Sequence, residues 1–200
     1  MRDPLNIRQI EKLGIDMMGF IFYPPSSRYV AQKPDYLPQK AKRVGVFVDA
    51  PTDFIYIRAK NFNLNLLQLH GNESPDCCAK LKTLLPHIKI IKTFSIASRE
   101  DLEKTHNFKA VADYFLFDTP TKLKGGSGQT FNHKLLEQYE GETPFLLSGG
   151  LSLENQEETL RIKHPMLAGY DLNSRFETQP ALKDPLKLKL YINRIKQTTI

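Results

Sequence analysis

Asp118 is the residue of this sequence with the clearest potential for acid–base chemistry, because it ends the apolar run YFLFD. A carboxyl group held against apolar walls resists ionisation and can donate a proton near neutral pH. A helix cap or an exposed loop carboxylate would explain the same residue without any chemistry. His70 ends the run LLQLH, two residues after Gln68, and either shuttles protons or only satisfies the hydrogen bonds of its loop.

Other polar and glycine residues follow apolar runs in the same way and have the properties of an anion site. Arg28, in FYPPSSRY, presents a planar fork suited to a carboxylate, although a surface ion pair would use it equally well. The backbone N–H groups of Gly149 and Gly150 could receive a phosphate or simply turn the chain. The segment DLNSRF could open a short helix toward the same anion, and its polar residues are Asp171, Asn173 and Ser174. These last two segments together favour a phosphate site.

The elements that must position these residues repeat along the chain. Seven runs rich in β-branched and aromatic residues predict strands at residues 16–22, 43–48, 65–70, 88–94, 113–118, 144–148 and 167–172. Helical segments lie between them, and three begin with a capping residue before proline: Asp3-Pro4, Ser74-Pro75 and Asp184-Pro185. Helix and strand alternate throughout, which gives eight helices for seven strands, so we expect a further strand before residue 1.

This alternation is shared by closed (β/α)8 TIM barrels and by open doubly wound sheets. The count of eight helices favours the α/β barrel, as a single domain over residues 1–200. Functional groups of a barrel lie at the carboxyl ends of its strands, which is where each candidate residue falls. The run GGSGQTF at residues 125–131 lacks the lysine of a nucleotide-binding loop, and we interpret it as a mobile loop over the active site.

Composition excludes several functional classes. The formal net charge of +6 is spread over many segments, which disfavours nucleic-acid binding. The two cysteines, Cys77 and Cys78, cannot build a disulfide framework and lack the spacing of a metal site, which favours a reducing compartment. No apolar run approaches the ~20 residues of a membrane span, and the first residues lack the apolar core of a signal peptide. We therefore expect a cytoplasmic protein without metal, membrane or nucleic-acid partners, and either a monomer or a homodimer.

Six segments, taken in order, resemble the phosphoribosylanthranilate isomerase family over nearly the whole chain: MGFIFYPPSSRYV, VGVFVDAP, LLQLHGNESP, LFDTPTKLKGGSGQTFNH, FLLSGGL and DLNSRFE with a later KDP. The resemblance implies a barrel enzyme of tryptophan biosynthesis. Its reaction is the Amadori rearrangement of N-(5-phosphoribosyl)anthranilate to 1-(2-carboxyphenylamino)-1-deoxyribulose 5-phosphate, without metal or organic cofactor. The small phosphorylated substrate agrees with the anion site expected from the residues alone.

Residue roles also follow from the resemblance. Asp118 falls on the family's general acid and Arg28 on the arginine near the anthranilate moiety. The positions that fall on the phosphate loops are Gly149, Gly150, Asn173 and Ser174. We expect the remaining strand-end residues to contact the substrate, namely Gln68, His70 and Asp171.

Three departures from the family pattern accompany the resemblance. Arg175 stands where the family usually has glycine, and His133 stands where tryptophan is common. The family's general base is a cysteine in a lysine-x-cysteine-glycine motif, just before the segment that matches residues 1–4, and Cys77 and Cys78 do not replace it. The chain as given is therefore either an isomerase or a non-catalytic phosphate-binding barrel; the related indole-glycerol-phosphate synthase chemistry is disfavoured, because its lysine-bearing strand ends are missing.

Overall fold

The computed structural model describes residues 1–118 and 133–198 of the chain. Seven parallel strands form one sheet in which every strand pairs with the next along the sequence. The strands are β1 Met17–Ile21, β2 Lys42–Phe47, β3 Leu66–Leu69, β4 Lys89–Ser95, β5 Tyr114–Asp118, β6 Phe145–Ser148 and β7 Leu167–Tyr170. A doubly wound sheet reverses its strand order at a switch point, whereas this order is sequential. The prediction of a (β/α)8 barrel is confirmed, and β1 and β7 are the two outer strands of the described sheet.

The helices of the described residues are α1 Pro4–Glu11, α2 Thr52–Phe62, α3 Pro75–Leu84, α4 Arg99–Glu103, α5 Gln156–Leu160 and α6 Pro185–Thr198. Short 3-10 segments occur at Lys104–Phe108, His133–Gln138 and Ser174–Phe176. The three capping positions predicted before proline are confirmed, because their side chains accept hydrogen bonds from backbone N–H groups two or three residues later: Asp3 from Asn6, Ser74 from Cys77 and Asp184 from Leu186. No helix in the described ranges is long and apolar enough to cross a membrane.

The prediction of a helix after every strand is wrong for the connection between β1 and β2. Residues 22–41 are all described and contain no helix. Prolines at positions 24, 25, 34 and 38 each remove a backbone donor, and a ring inside a helix clashes with the preceding turn. The segment folds back on β1 instead, where Val30 N–H donates to the Ile21 carbonyl at 2.9 Å. This return places Arg28 beside the carboxyl end of β1.

Buried side chains form two separate groups. A small group contains one residue from each of four neighbouring strands, with β1 and β6 side chains packed against it: Val44, Leu66, Ile91 and Leu116. A larger group joins the helices to the other face of the sheet and includes many of the phenylalanines, such as the tightly packed Phe22, Phe47 and Phe62. Burial on both faces explains why the strand runs are continuously apolar.

A small antiparallel hairpin follows β7 and was not predicted. It consists of β8 Glu177–Gln179 and β9 Leu182–Lys183, and Ala181 at its turn has a positive φ of 69°. The buried side chain of Asn6 in α1 binds its second strand through both backbone groups of Lys183, each at 2.8 Å. The hairpin thereby ties α1 to the segment that precedes α6.

Candidate active site

The register of the sheet brings three polar strand ends side by side. Asp118 at the end of β5 is level with Ser148 at the end of β6. Asp171 directly follows β7, and its N–H donates to the Leu147 carbonyl at 2.8 Å. Because parallel strands end at one edge, these residues share the rim of the barrel at which functional groups are expected.

His70 approaches Asp118 at this rim. Its Nε2 atom lies 3.8 Å from Asp118 Oδ2, and its Nδ1 atom lies 3.0 Å from Gln68 Nε2. An amide nitrogen only donates, so with this Gln68 orientation Nδ1 accepts and the hydrogen of a neutral ring resides on Nε2. The structure thus brings Gln68, His70 and Asp118 together at the rim.

The surroundings of Asp118 differ from the sequence expectation. We expected apolar walls around its carboxyl group, but the side chain is 38% exposed in the described structure. The desolvated carboxyl at the rim is that of Asp171 instead. Burial raises the pKa of Asp171 above its usual value, and the charge of Asp118 acts in the same direction, whereas Lys183, Ser148 and His70 act against it. No local pattern predicts this burial, because the motif DLNSRF does not show how deeply its first residue lies.

A buried ion pair supports the loop that follows His70. Lys92 on β4 donates to the carbonyl of Gly71 at 2.7 Å and to Glu73 at 2.9 Å, and both side chains are almost fully buried. Glu73 also accepts from the backbone N–H groups of Asp49 and Gly71. A Cβ atom at Gly71 would overlap the side chain and backbone of Asp49, so the loop can pass this point only with glycine.

The predicted phosphate loops have turn geometry that their residues explain. Gly149 and Gly150 have φ values of 92° and 62°, which side chains with a Cβ rarely adopt. Asn155 fixes the turn by donating to the Gly150 carbonyl at 3.0 Å and accepting from Ser152 N–H at 2.9 Å. The short helix expected at DLNSRF is a single 3-10 turn that begins at Ser174.

Arg175 lies beside the glycine turn. It lines a surface cleft of about 630 Å³ together with Gly150 and the acidic side chains of Glu154, Glu157 and Glu158. Hydrogen bonding from Ser152 lowers the pKa of Glu154, and the charge of Arg175 contributes to the same shift. The guanidinium group therefore faces carboxylates as well as the glycine turn, so the positive charge that the sequence places next to the phosphate loop is partly compensated.

Arg28 belongs to a compact charged cluster, which we define as Arg28, Glu177, Lys183 and Asn173. Arg28 Nε and Nη2 bind Glu177 Oε2 at 2.9 and 2.6 Å, and Lys183 Nζ binds Glu177 Oε1 at 3.1 Å. Lys183 Nζ also donates to Asn173 Oδ1 at 2.7 Å. The site residues predicted from the sequence include Arg28 and Asn173 but not Glu177 and Lys183, although these two belong to the segments DLNSRFE and KDP that carry the family resemblance.

Burial and charge oppose each other within the charged cluster. Burial acts to raise the pKa of Glu177, but hydrogen bonds from Arg28 and the charge of Lys183 outweigh it, and the net pKa is lowered. For Lys183, burial lowers the pKa, against the attraction of Glu177 and Asp171. The two cations share one carboxylate, so the cluster carries a net positive charge at neutral pH.

Neither cysteine stands at the end of a strand. Cys77 and Cys78 are free thiols in the first turn of the outer helix α3, as predicted. Burial raises the pKa of Cys78 to about 11 and also raises that of Cys77. A thiol with a raised pKa stays protonated at neutral pH, and only the thiolate can accept a proton.

The predicted loop at residues 125–131 lies outside the described residues, and so does the side chain of His133. Within residues 1–118 and 133–198, no three His, Cys, Asp or Glu side chains are grouped so that they could hold a metal ion.

Comparison with known proteins agrees with the geometry of the rim. The model of the family N-(5'-phosphoribosyl)anthranilate (PRA) isomerase matches residues 2–194. The chain belongs to the phosphoribosylanthranilate isomerase family. A relative of that name from Phocaeicola vulgatus is 50% identical over 197 residues, which cover 98% of this chain and 95% of the relative. The enzyme from Parabacteroides distasonis is 47% identical over 201 residues, covering 98% and 90%. The resemblance identified from the sequence is confirmed.

Solved structures of phosphoribosylanthranilate isomerases share the fold. The enzyme from Thermotoga maritima is 32% identical, with a TM-score of 0.84 and coverage of 98% of this chain and 96% of that one. A second structure, 28% identical with a TM-score of 0.80, contains reduced 1-(o-carboxyphenylamino)-1-deoxyribulose 5-phosphate and covers 98% and 99% of the two chains. Family membership makes an enzyme the better reading of this chain than a non-catalytic barrel.

Proposed function

We propose that this chain converts N-(5-phosphoribosyl)anthranilate to 1-(2-carboxyphenylamino)-1-deoxyribulose 5-phosphate, the isomerisation of its family in tryptophan biosynthesis. The observation that carries the proposal is the rim, where Asp118 and His70 stand 3.8 Å apart. A cationic cluster and a glycine turn stand on the same rim. A substrate with a carboxylate at one end and a phosphate at the other requires that combination of groups.

Asp118 acts as the general acid in this proposal. Its proton goes to the ribose ring oxygen while the C1–O bond breaks and the anthranilate nitrogen forms an iminium at C1. A base then removes the proton from C2, and the resulting enolamine gains a proton at C1 as its hydroxyl becomes the ketone. Substrate and product have the same atoms, so no oxidant or cofactor is needed. The family resemblance assigns the base to a cysteine, and we propose neither Cys77 nor Cys78 for that role.

The other candidate residues bind the substrate. Arg28 faces the anthranilate carboxylate. Its contacts with Glu177 use Nε and Nη2, so the Nη1 edge is the one that faces the substrate. The phosphate receives backbone N–H groups and polar side chains from the two last loops, at Gly149, Gly150, Asn173 and Ser174. Gln68 orients His70 beside the general acid, and Asp171 lies under the ribose.

The partner of this enzyme is accordingly a small phosphorylated molecule. The phosphoribosylanthranilate isomerase of Thermotoga maritima is dimeric, and monomers generated from it have been solved, so a monomer or a homodimer remains the prediction for this chain. We place the enzyme in the cytoplasm, since its two cysteines are free thiols.

The experiment that tests the function combines turnover and binding on the 200-residue chain. Chromatographic detection of the ketone product measures turnover, and calorimetric titration with the reduced product analogue measures binding. Turnover with binding supports the proposal. Binding without turnover would identify a non-catalytic phosphate-binding barrel, and formation of indole-glycerol phosphate would identify the related synthase; either result refutes the isomerase.

A further inference from the structure

Lys183 is held unusually firmly for a lysine on a two-residue strand. Its side chain is 11% exposed, and its backbone N–H and carbonyl are both bound by the buried side chain of Asn6 at 2.8 Å. The amide of Asn6 has no freedom to turn without losing one of these bonds. The ammonium group of Lys183 therefore starts from a fixed point between α1 and the hairpin.

The ammonium group joins two residues that serve opposite ends of the substrate in the proposed function. On one side it donates to Asn173 Oδ1 at 2.7 Å, in the loop assigned to the phosphate. On the other it binds Glu177 Oε1 at 3.1 Å, and Glu177 holds the Arg28 fork through Oε2. The two anion-binding ends are thus connected by one short chain of charge-assisted hydrogen bonds.

The position of Lys183 is not explained by a role as a positive charge that attracts the substrate. Lys183 is enclosed by Asn173 and Glu177, so it is not the group that would meet solvent or an entering phosphate first. Glu177 is 4% exposed and is also fixed by Ala181 N–H at 3.2 Å. The connection is therefore built from groups whose positions are set by the hairpin and does not depend on a bound ligand.

We propose that Lys183 is a positioning residue that fixes the distance between the two anion-binding ends of the site, acting directly on Asn173 and through Glu177 on Arg28. The inference rests on the proposed function, because it takes Arg28 and Asn173 as the carboxylate and phosphate ends. This role predicts a result that a residue in direct contact with the substrate would not give. A ligand carrying both anions depends on the distance, whereas inorganic phosphate or anthranilate alone can settle at its own end.

The test compares three ligands on the full chain and on Lys183→Met. Calorimetric titration with the reduced product analogue, inorganic phosphate and anthranilate gives affinities per folded molecule. We expect binding of the analogue to weaken about tenfold or more, since misplacement of a site by a fraction of an ångström is costly. Each single-anion ligand should weaken by less than about threefold, which is within the range of ordinary side-chain effects. Lys183→Arg keeps a cation for both partners and should recover most of the loss.

Two results would overturn the inference. Equal weakening of all three ligands would make Lys183 a direct or general electrostatic contributor, and unchanged binding of the analogue would leave it a structural role only. Lys82→Met is the matched control, since Lys82 pairs with Asp113 at 3.2 Å, at the opposite end of β5 from the rim. Turnover by the unchanged chain is measured on the same preparation. Its absence would refute the proposed isomerase, while the binding comparison would still decide the role of Lys183.

Discussion

The two parts of the candidate site are held in different ways. In the charged cluster, Arg28, Glu177, Lys183 and Asn173 are joined by contacts of 2.6 to 3.1 Å, and the side chains of Glu177 and Lys183 are 4% and 11% exposed. At the acid–base end, His70 and Asp118 stand 3.8 Å apart and are each about one-third exposed. From this difference we infer that the residues that bind the substrate are already held in place before binding, whereas the general acid lies at an end of the site that stays open to the substrate.

The largest effect is expected for Asp118→Asn, which changes the acid–base end and leaves the charged cluster intact. Loss of a general acid reduces turnover by about 10²- to 10⁴-fold. Binding of the reduced product analogue should stay within about threefold, because the charged cluster is unchanged. Steady-state kinetics and titration measure both quantities, with exposed Asp35→Asn as the control. Turnover within tenfold of the original would show that Asp118 is not the acid.

A second substitution, Lys92→Met, removes the ion pair that supports the loop of His70. Lys92→Met leaves the buried Glu73 carboxylate without its cation, and such a loss costs about 3–5 kcal/mol of stability. Urea unfolding measures it, and Lys104→Met, which breaks an exposed pair with Asp101, should cost no more than about 1 kcal/mol. In the folded fraction, turnover should fall more than affinity, since the loop of His70 loses its support. A fall in affinity alone would contradict this division.

The charged cluster is probed by Arg28→Lys. A single ammonium cannot bind Glu177 through two nitrogens and also face a carboxylate, and a hydrogen bond to a charged group is worth about 1.5–3 kcal/mol. The KM should therefore rise about tenfold to a hundredfold, with kcat changed by only a few-fold. Kinetics over a range of substrate concentrations distinguishes the two parameters. A reduced kcat with an unchanged KM would move Arg28 to the acid–base end.

The smallest expected effect concerns Asp171, which lies between the two parts. Its raised pKa means that the folded state keeps this proton at pH values where the unfolded state has lost it. Its contribution to the free energy of unfolding therefore decreases as pH rises from about 4 toward the raised pKa, by at most about 1.4 kcal/mol per pH unit. Asp171→Asn should remove that slope in urea unfolding measured at several pH values, and Asp35→Asn should retain it. An unchanged slope would show that Asp171 ionises normally in the fold.

Much of the fold was accessible from the sequence because its signals are local. Caps before proline at Asp3, Ser74 and Asp184 and doubly apolar strands depend on neighbours in the chain, so the elements followed from them. The choice of a barrel over an open sheet came from the count of eight helices and from the family resemblance. The connection at residues 22–41 was predicted as a helix from the alternation alone, although its prolines already argued against one. Strand-end positions for Asp118, His70 and Asp171 came from the same local pattern.

The rest of the site depends on contacts that no local pattern encodes. Glu177 becomes the partner of Arg28 across 149 positions of sequence, and Lys183 meets Asn6 across 177. The burial that raises the pKa of Asp171, and the exposure of Asp118, likewise result from how the strand ends meet. Sequence reasoning therefore identified most groups at the rim, yet it assigned the apolar surroundings to the wrong carboxylate.

The two hydrogen bonds between Asn6 and Lys183 also affect the order in which the protein folds during its synthesis. Contacts of such large sequence separation form slowly, because the chain must close a long loop before they contribute. The sheet between β2 and β6 can assemble from neighbouring segments during synthesis. The charged cluster can form only after the hairpin has left the ribosome and contacted α1. A nascent chain ending before residue 183 would hold Asp118 and the residues proposed to bind the substrate, but not the lysine proposed to fix the distance between them.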